Sequence, residues 1–336
     1  MNPARPASRF IAHRSSFIAP RHPAAACRTT LPPVRPILLA TASYGYLADD
    51  LARTAEYDRA AIATRRFPDG EKYLRIEADL ERRDVVLVGG TVSDEATLEL
   101  FDLGCAAIEY GAHTLTLVIP WFGYATMERA TQAGEVVTAK TRARLLSAIP
   151  QAGSGNRVVL FDLHSEGIPH YFEGSLRPYH VYGKELVFAA CRTLGDDAFV
   201  LASTDAGRAK WVESLANDMH VPAAFVIKRR LGDAHTDVAG ISAEVSGKRV
   251  VIYDDMIRTG SSLMAAARAY LDAGASSVAA VASHGVFPGD ALERIAESRL
   301  LTQIVVSDSH PRTREVAHPI LTVQPVTPVI AAFLRN

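Results

Sequence analysis

Two adjacent carboxylates, Asp254 and Asp255, precede the run Thr259-Gly260-Ser261-Ser262. Neighbouring acids can accept hydrogen bonds from two vicinal hydroxyls. Thr259, Ser261 and Ser262 supply hydroxyl donors, and Gly260 lets a backbone approach a ligand closely. The apolar run Val250-Val251-Ile252-Tyr253 leads into the acids, and an apolar-periodic stretch follows the serines, so the segment reads as strand, tight turn, helix. A helix start presents unpaired N–H groups and the positive end of its dipole, which suits a dianionic phosphate. Phosphate donors beside acceptors for paired hydroxyls describe a ribose 5-phosphate site. An ordinary strand–turn–helix with Ser as N-cap would share part of this pattern. Strand and helix both standing where a site requires them favours the site.

The elements that must hold this loop recur along the chain. Apolar, β-branched runs predict strands at 37–40, 84–89, 114–119, 157–161, 199–202, 224–227, 250–253, 278–282, 303–306 and 320–323. Helical spacing predicts helices at 96–110, 138–147, 184–194, 209–217, 262–273 and 291–297, and a last one at 328–335. Strand, crossover helix, strand is the grammar of a largely parallel sheet. Ten strands suit two α/β domains of similar size, with a seam near 178–184. The expected division is an N-terminal domain over 37–180 and a C-terminal domain over 181–318 carrying the phosphate loop. The strand and helix of 319–336 would then be free to pack back on the first domain.

Composition narrows the function classes. Hydrophobic residues at 48% and charged residues at 22% suit a soluble α/β chain with a substantial core. A formal net charge of −1 gives no global pull toward nucleic acid or an anionic membrane, so any phosphate must be held locally. No apolar run reaches the roughly 18 residues that suggest a membrane span. Cys27, Cys105 and Cys191 match no zinc or disulfide spacing, which points to a reducing compartment and a cytoplasmic location. Residues 1–36 carry six arginines and no acid among Pro, Ala and Ser. They read as a disordered extension, with an organelle transit peptide as the alternative.

Two other segments carry chemistry. Phe67-Pro68-Asp69-Gly70-Glu71 is a strong turn signal that leaves a ring and two acids exposed. Lys228-Arg229-Arg230 closes a hydrophobic strand and precedes a Gly/Asp-rich loop, as a mobile cationic lid would.

The Asp254–Ser262 segment resembles the phosphoribosyl pyrophosphate-binding loop of type I phosphoribosyltransferases and of ribose-phosphate pyrophosphokinases. The other segments favour the second family, and the resemblance spans roughly residues 37–334. Phe67, Asp69 and Glu71 are similar to its adenine-binding turn. Pro120-Trp121-Phe122-Gly123-Tyr124-Ala125 resembles its Pro-Tyr-Phe-Gly-Tyr-Ala stretch. Thr126-Met127 then stands where the family has Arg-Gln, while Arg129 matches a further family arginine. Phe161-Asp162-Leu163-His164-Ser165 resembles the Asp-Leu-His motif, and Ser203-Thr204-Asp205-Ala206-Gly207 the Ser-Pro-Asp-x-Gly turn. His284-Gly285-Val286-Phe287 resembles another strand end near the sugar site. Arg258 departs from a loop position that is acidic or small in most relatives.

What the resemblance implies can be stated residue by residue. The fold would be two type I phosphoribosyltransferase-like domains, each a mostly parallel sheet flanked by helices. Asp254, Asp255, Thr259, Gly260, Ser261 and Ser262 would hold ribose 5-phosphate. Phe67, Asp69, Glu71 and Arg129 would bind ATP, and His164 and Asp205 would place Mg²⁺. Lys228, Arg230 and His164 would be catalytic, with the two cations stabilising charge on the migrating phosphoryl oxygens. The product would be 5-phosphoribosyl 1-pyrophosphate, made by a homo-oligomer whose adenine pockets are shared between subunits. Two other readings stay open: a non-catalytic regulatory relative, and a phosphoribosyltransferase.

Overall fold

The computed structural model describes residues 35–54, 56–196, 198–230 and 236–335, with the side chains of 228–230 and 236–239 outside that description. The arginine-rich segment 1–34 and Cys27 also lie outside it.

The first sheet is built from β1 (Ile37–Ala40), β2 (Asp58–Arg59), β5 (Asp84–Val88), β6 (Thr114–Ile119), β7 (Asn156–Phe161) and β8 (Leu176–Val181), in the order β2-β1-β5-β6-β7-β8. Every pairing in it is parallel. Between β2 and β5 an antiparallel ribbon stands apart, β3 (Ile62–Arg66) and β4 (Lys72–Ile76). Helices α1 (Gly45–Ala52), α2 (Asp94–Glu109) and α3 (Thr138–Ser147) accompany this sheet. Its central strands are apolar over most of their length, as in Val85–Val88, Leu117–Ile119 and Val158–Phe161, because helices bury both faces, as parallel sheets require. The start of α2 is set by Ser93, whose side chain accepts from Ala96 N at 3.1 Å, with Asp94 and Glu95 at the positive end of the dipole.

After β8 come α4 (Lys184–Gly195), β9 (Phe199–Ser203), α5 (Ala209–Met219), β10 (Ala223–Arg230), β11 (Thr236–Ile241) and β12 (Arg249–Ile257). They are followed by α6 (Ser261–Asp272), β13 (Ser277–Gly285), α7 (Ala291–Glu297), β14 (Ile304–Ser307), β15 (Leu321–Gln324) and α8 (Thr327–Leu334). The second sheet runs β11-β10-β9-β12-β13-β14-β15, and only the β10–β11 pair is antiparallel. The α/β class and all ten predicted strands are present. Among the described residues, α1 and five strands escaped prediction. β2 is two exposed residues, β3 and β4 form a polar ribbon, and β8 carries Pro178, tolerated because β8 is an edge strand. β11 includes Gly240, which weakens a strand signal.

The helix α8 belongs by packing to the first sheet, not the second. Val326, Ile330 and Ala331 are buried with Leu38, Val86 and Val159 and with Tyr44 and Leu47 near and in α1. A buried polar seam ties the sheets together beneath the site. Ser283 on β13 donates to the Asp162 carboxylate, and His284 bonds through Nε2 to the Asp162 carbonyl at 2.9 Å and through Nδ1 to Ser309 at 2.6 Å. Trp121, after β6, sets its ring edge-on to His284 with centroids 4.7 Å apart. Burial holds the His284 ring below the usual histidine range, so the bond to the Asp162 carbonyl comes from a neutral Nε2–H. Cys191 is buried, which pushes its thiol up to about 12, as a packed rather than reactive cysteine.

Candidate active site

Strand β12 delivers the aspartate pair at its C-terminal end. Val250–Tyr253 are buried, and Asp255 with them, while Asp254 is partly open. The turn that follows needs Gly260: its φ is +77°, and a Cβ there would meet Ile295 Cδ1 at 2.4 Å. From Gly260 the chain enters α6 with no side chain capping the helix start, so its first N–H groups remain for a ligand. Thr259 and Ser261 bring their hydroxyls to 3.3 Å of each other at that start. The loop forms one wall of a cavity of about 1010 Å³ beyond the carboxyl ends of β9 and β12. Ligands of open α/β sheets bind at such strand ends. His164 and Arg129 from the first half of the chain, Thr204, Asp205 and Arg208 from the β9–α5 connection, and Trp211 from α5 are among the residues lining the rest.

The strand end after β7 is held in an unusual backbone conformation. Asp162 is buried at φ +44°, in the left-handed region that costs a non-glycine residue energy. That bend turns Leu163 N toward His180 Nε2, which accepts at 2.9 Å, and leaves His164 facing β12. His164 Nδ1 lies 2.6 Å from Asp255 Oδ2. Arg208 reaches the other oxygen, Nη2 to Oδ1 at 2.7 Å, and also donates to the His164 carbonyl at 3.2 Å. Its Nε stands 4.0 Å from Asp254 Oδ1.

The two carboxyls are driven apart in acidity by these surroundings. For Asp254, burial raises the pKa, the Asp255 carboxylate beside it raises it further, and the result is about 7. For Asp255, burial also opposes ionisation but is outweighed by the His164 hydrogen bond and the Arg208 charge, which bring it to about 2. One member is therefore a fixed anion and the other titrates near neutrality. Thr204 Oγ1 donates to Asp254 Oδ2 at 3.3 Å, which fixes the direction of that carboxyl.

The chain matches the family model of the N-terminal domain of ribose phosphate pyrophosphokinase over residues 37–149, and that of the phosphoribosyl synthetase-associated domain over 203–335. A protein of Synechococcus elongatus named ribose-phosphate pyrophosphokinase is 33% identical over 291 residues, covering 85% of this chain and 86% of that one. The chain belongs to the ribose-phosphate pyrophosphokinase family. A chloroplastic ribose-phosphate pyrophosphokinase 2 of Oryza sativa is 32% identical, covering 85% of this chain and 71% of its own length. Among solved structures, a phosphoribosylpyrophosphate synthetase from Mycobacterium smegmatis superposes with a TM-score of 0.79 at 27% identity, covering 90% of this chain and 98% of that one.

Within this pyrophosphokinase fold the expected residues fall into three groups. Asp254, Asp255, Thr259, Gly260, Ser261, Ser262, His164, Asp205 and Arg129 all line the one cavity. Phe67, Asp69 and Glu71 do not: they sit at the tip of the β3–β4 ribbon, where Phe67 N donates to the Glu71 carbonyl at 2.8 Å. The Phe67 ring is exposed there, with the Arg65 guanidinium 5.1 Å from its centroid. Lys228 and Arg230 end β10, and their side chains lie outside the described residues. His284 does not line the cavity; it is 2% exposed and held in the seam between the sheets, bonded to Asp162 behind the cavity wall. Arg208 is the residue that sequence reading missed. Its signal was its place directly after the Ser203–Gly207 turn, at the entry to α5.

Proposed function

We propose that this chain transfers the β,γ-pyrophosphoryl group of ATP to the C1 hydroxyl of ribose 5-phosphate, giving 5-phosphoribosyl 1-pyrophosphate and AMP. The observation that carries the reading is the placement, in one cavity, of an uncapped helix start ringed by hydroxyls and a carboxylate pair one turn away. The 5-phosphate takes the N–H groups of α6 and the hydroxyls of Thr259, Ser261 and Ser262. Asp254 and Asp255 accept from the ring hydroxyls and orient C1 toward the nucleotide. The C1 oxygen bonds to the β-phosphorus, the bond from that phosphorus to the α-phosphate oxygen breaks, and the hydroxyl proton departs. Lys228 and Arg230, at the end of β10, stabilise the charge on the migrating oxygens, and Arg129 holds the polyphosphate.

Phe67, Asp69 and Glu71 bind adenine for a neighbouring chain's cavity, which accounts for their distance from this one and makes the working unit a homo-oligomer. Among the described residues no group of three or more acids, histidines or cysteines is arranged to hold a metal ion. Magnesium keeps waters and substrate oxygens in its shell, so the sparse pair of Asp205 and His164 on the cavity wall fits it. His164 would offer Nε2, since Nδ1 is taken by Asp255. When bound, the ion would neutralise phosphate oxygens of the nucleotide. Among the described residues no helix is long and apolar enough to cross a membrane.

Purified chain incubated with ATP, ribose 5-phosphate and Mg²⁺ should form AMP only when both substrates are present. Folded protein that binds ribose 5-phosphate by calorimetry without forming AMP would replace this reading with that of a non-catalytic relative.

A further inference from the structure

A second cavity, of about 520 Å³, opens at the opposite end of the first sheet, at the amino ends of β5 to β8 and beside the last residues of α8. Its walls include Tyr57, Thr116, Arg157, Arg177, Tyr179 and Arg335. Arg157 on β7 and Arg177 on β8 are direct register partners, so their side chains leave the sheet on the same face. Thr116 on β6 is the partner of Arg157 on its other side, and its hydroxyl accepts from Arg157 Nε at 2.8 Å. The half-buried guanidinium of Arg157 is thus aimed by a fixed contact.

Like charges placed directly opposite on neighbouring strands repel. Among the described residues neither Arg157 nor Arg177 has an ion-pair partner. The acids nearby are engaged elsewhere: Glu56 pairs with Arg335 at 3.3 Å, and Asp84 accepts from Thr114 at 2.7 Å. Two guanidiniums side by side with no ion-pair partner among the described residues, one of them oriented, each offer a planar fork that matches the oxygens of a phosphate group. The cavity is larger than one phosphate needs, and the exposed Tyr179 ring offers a flat apolar wall beside it.

We propose that this pocket binds a phosphate group, as the free ion or on a small nucleotide, between Arg157 and Arg177. None of its walls is shared with the catalytic cavity, so the two sites are separate.

Equilibrium dialysis of the full chain with radiolabelled inorganic phosphate tests it. The double variant Arg157→Gln, Arg177→Gln should bind one phosphate per chain fewer than the unaltered protein, whatever the catalytic loop binds, and keep its AMP-forming rate. Arg177 is exposed, so Arg177→Glu guards against misfolding of the double variant. It places a carboxylate across from Arg157, and it should also lose one bound phosphate and gain less thermal stability from added phosphate than the unaltered chain. Equal phosphate counts in Arg177→Glu and the unaltered chain would overturn the proposal. Competition by CMP at a lower concentration than by unlabelled phosphate identifies a nucleotide as the source; the reverse order identifies the free ion.

Discussion

Replacing Arg208 by Met keeps much of the stem and removes only the charge and its hydrogen bonds. In the intact protein the guanidinium contacts Asp255, which is 4% exposed, at 2.7 Å. Removing one partner of a buried pair costs about 3–5 kcal/mol. The Arg208 side chain is 22% exposed, so solvent screening trims the loss to about 2–3 kcal/mol. The charge-dependent part has a pH signature. Asp255 has a folded pKa of about 2, below its unfolded value near 3.9, so its stabilising share is full above pH 4 and disappears as pH falls toward 2. Asp254 has the opposite sign: raised to about 7, it weakens the fold above that pH and the penalty is relieved as pH falls toward 4. Both effects make the loss of Arg208 most damaging at high pH. Urea unfolding without added metal should show a destabilisation of about 2–3 kcal/mol at pH 8, shrinking by at least half near pH 3. A deficit independent of pH would show that Arg208 acts by packing, and the charge argument would fail. Arg208→Lys, which keeps the charge but not the fork, should recover part of the deficit.

Gly260→Ala meets both the positive φ and the Ile295 side chain; it should cost about 2 kcal/mol or more in unfolding and weaken ribose 5-phosphate binding in calorimetry. Lys228→Ala should lower turnover by roughly a hundredfold or more with an unchanged circular dichroism spectrum; full activity would remove Lys228 from the mechanism. Ser261→Ala should raise the KM for ribose 5-phosphate by about tenfold while leaving the KM for ATP unchanged, as expected for a lost charge-assisted hydrogen bond to one substrate. Trp121→Ala, which empties a 9%-exposed position against His284, should destabilise the fold by about 3–5 kcal/mol, read by thermal unfolding.

The phosphate loop was legible because its parts are contiguous: strand β12, the Gly260 turn and α6 follow one another within two dozen residues, and each has a local pattern. The parallel sheets were legible for the same reason, through apolar runs such as Leu115–Ile119. Arg208 was not, because its partners His164, Asp254 and Asp255 lie some 44 or more residues away and meet it only through the crossing of two strand ends. The aspartates' divergence in acidity likewise depends on burial that no run of letters states. The partners of His284 were equally hidden: its ring is held in the polar seam by Ser309 and by the Asp162 carbonyl, which lies 122 residues away. Strand β8 was hidden by Pro178, a residue that argues against a central strand and is harmless on an edge.

The packing of α8 on the first sheet has a consequence for how the chain is made. A ribosome finishes β1 to β8 early and α1 covers part of the face around Leu38, Val86 and Val159, yet the share that Val326, Ile330 and Ala331 cover stays open until α8 emerges. The early-made half therefore waits, with part of an oily surface uncovered, for a helix made long after it. Loss of α8 would leave that share bare and the nascent protein sticky, although the Asp254–Ser262 loop itself would be intact.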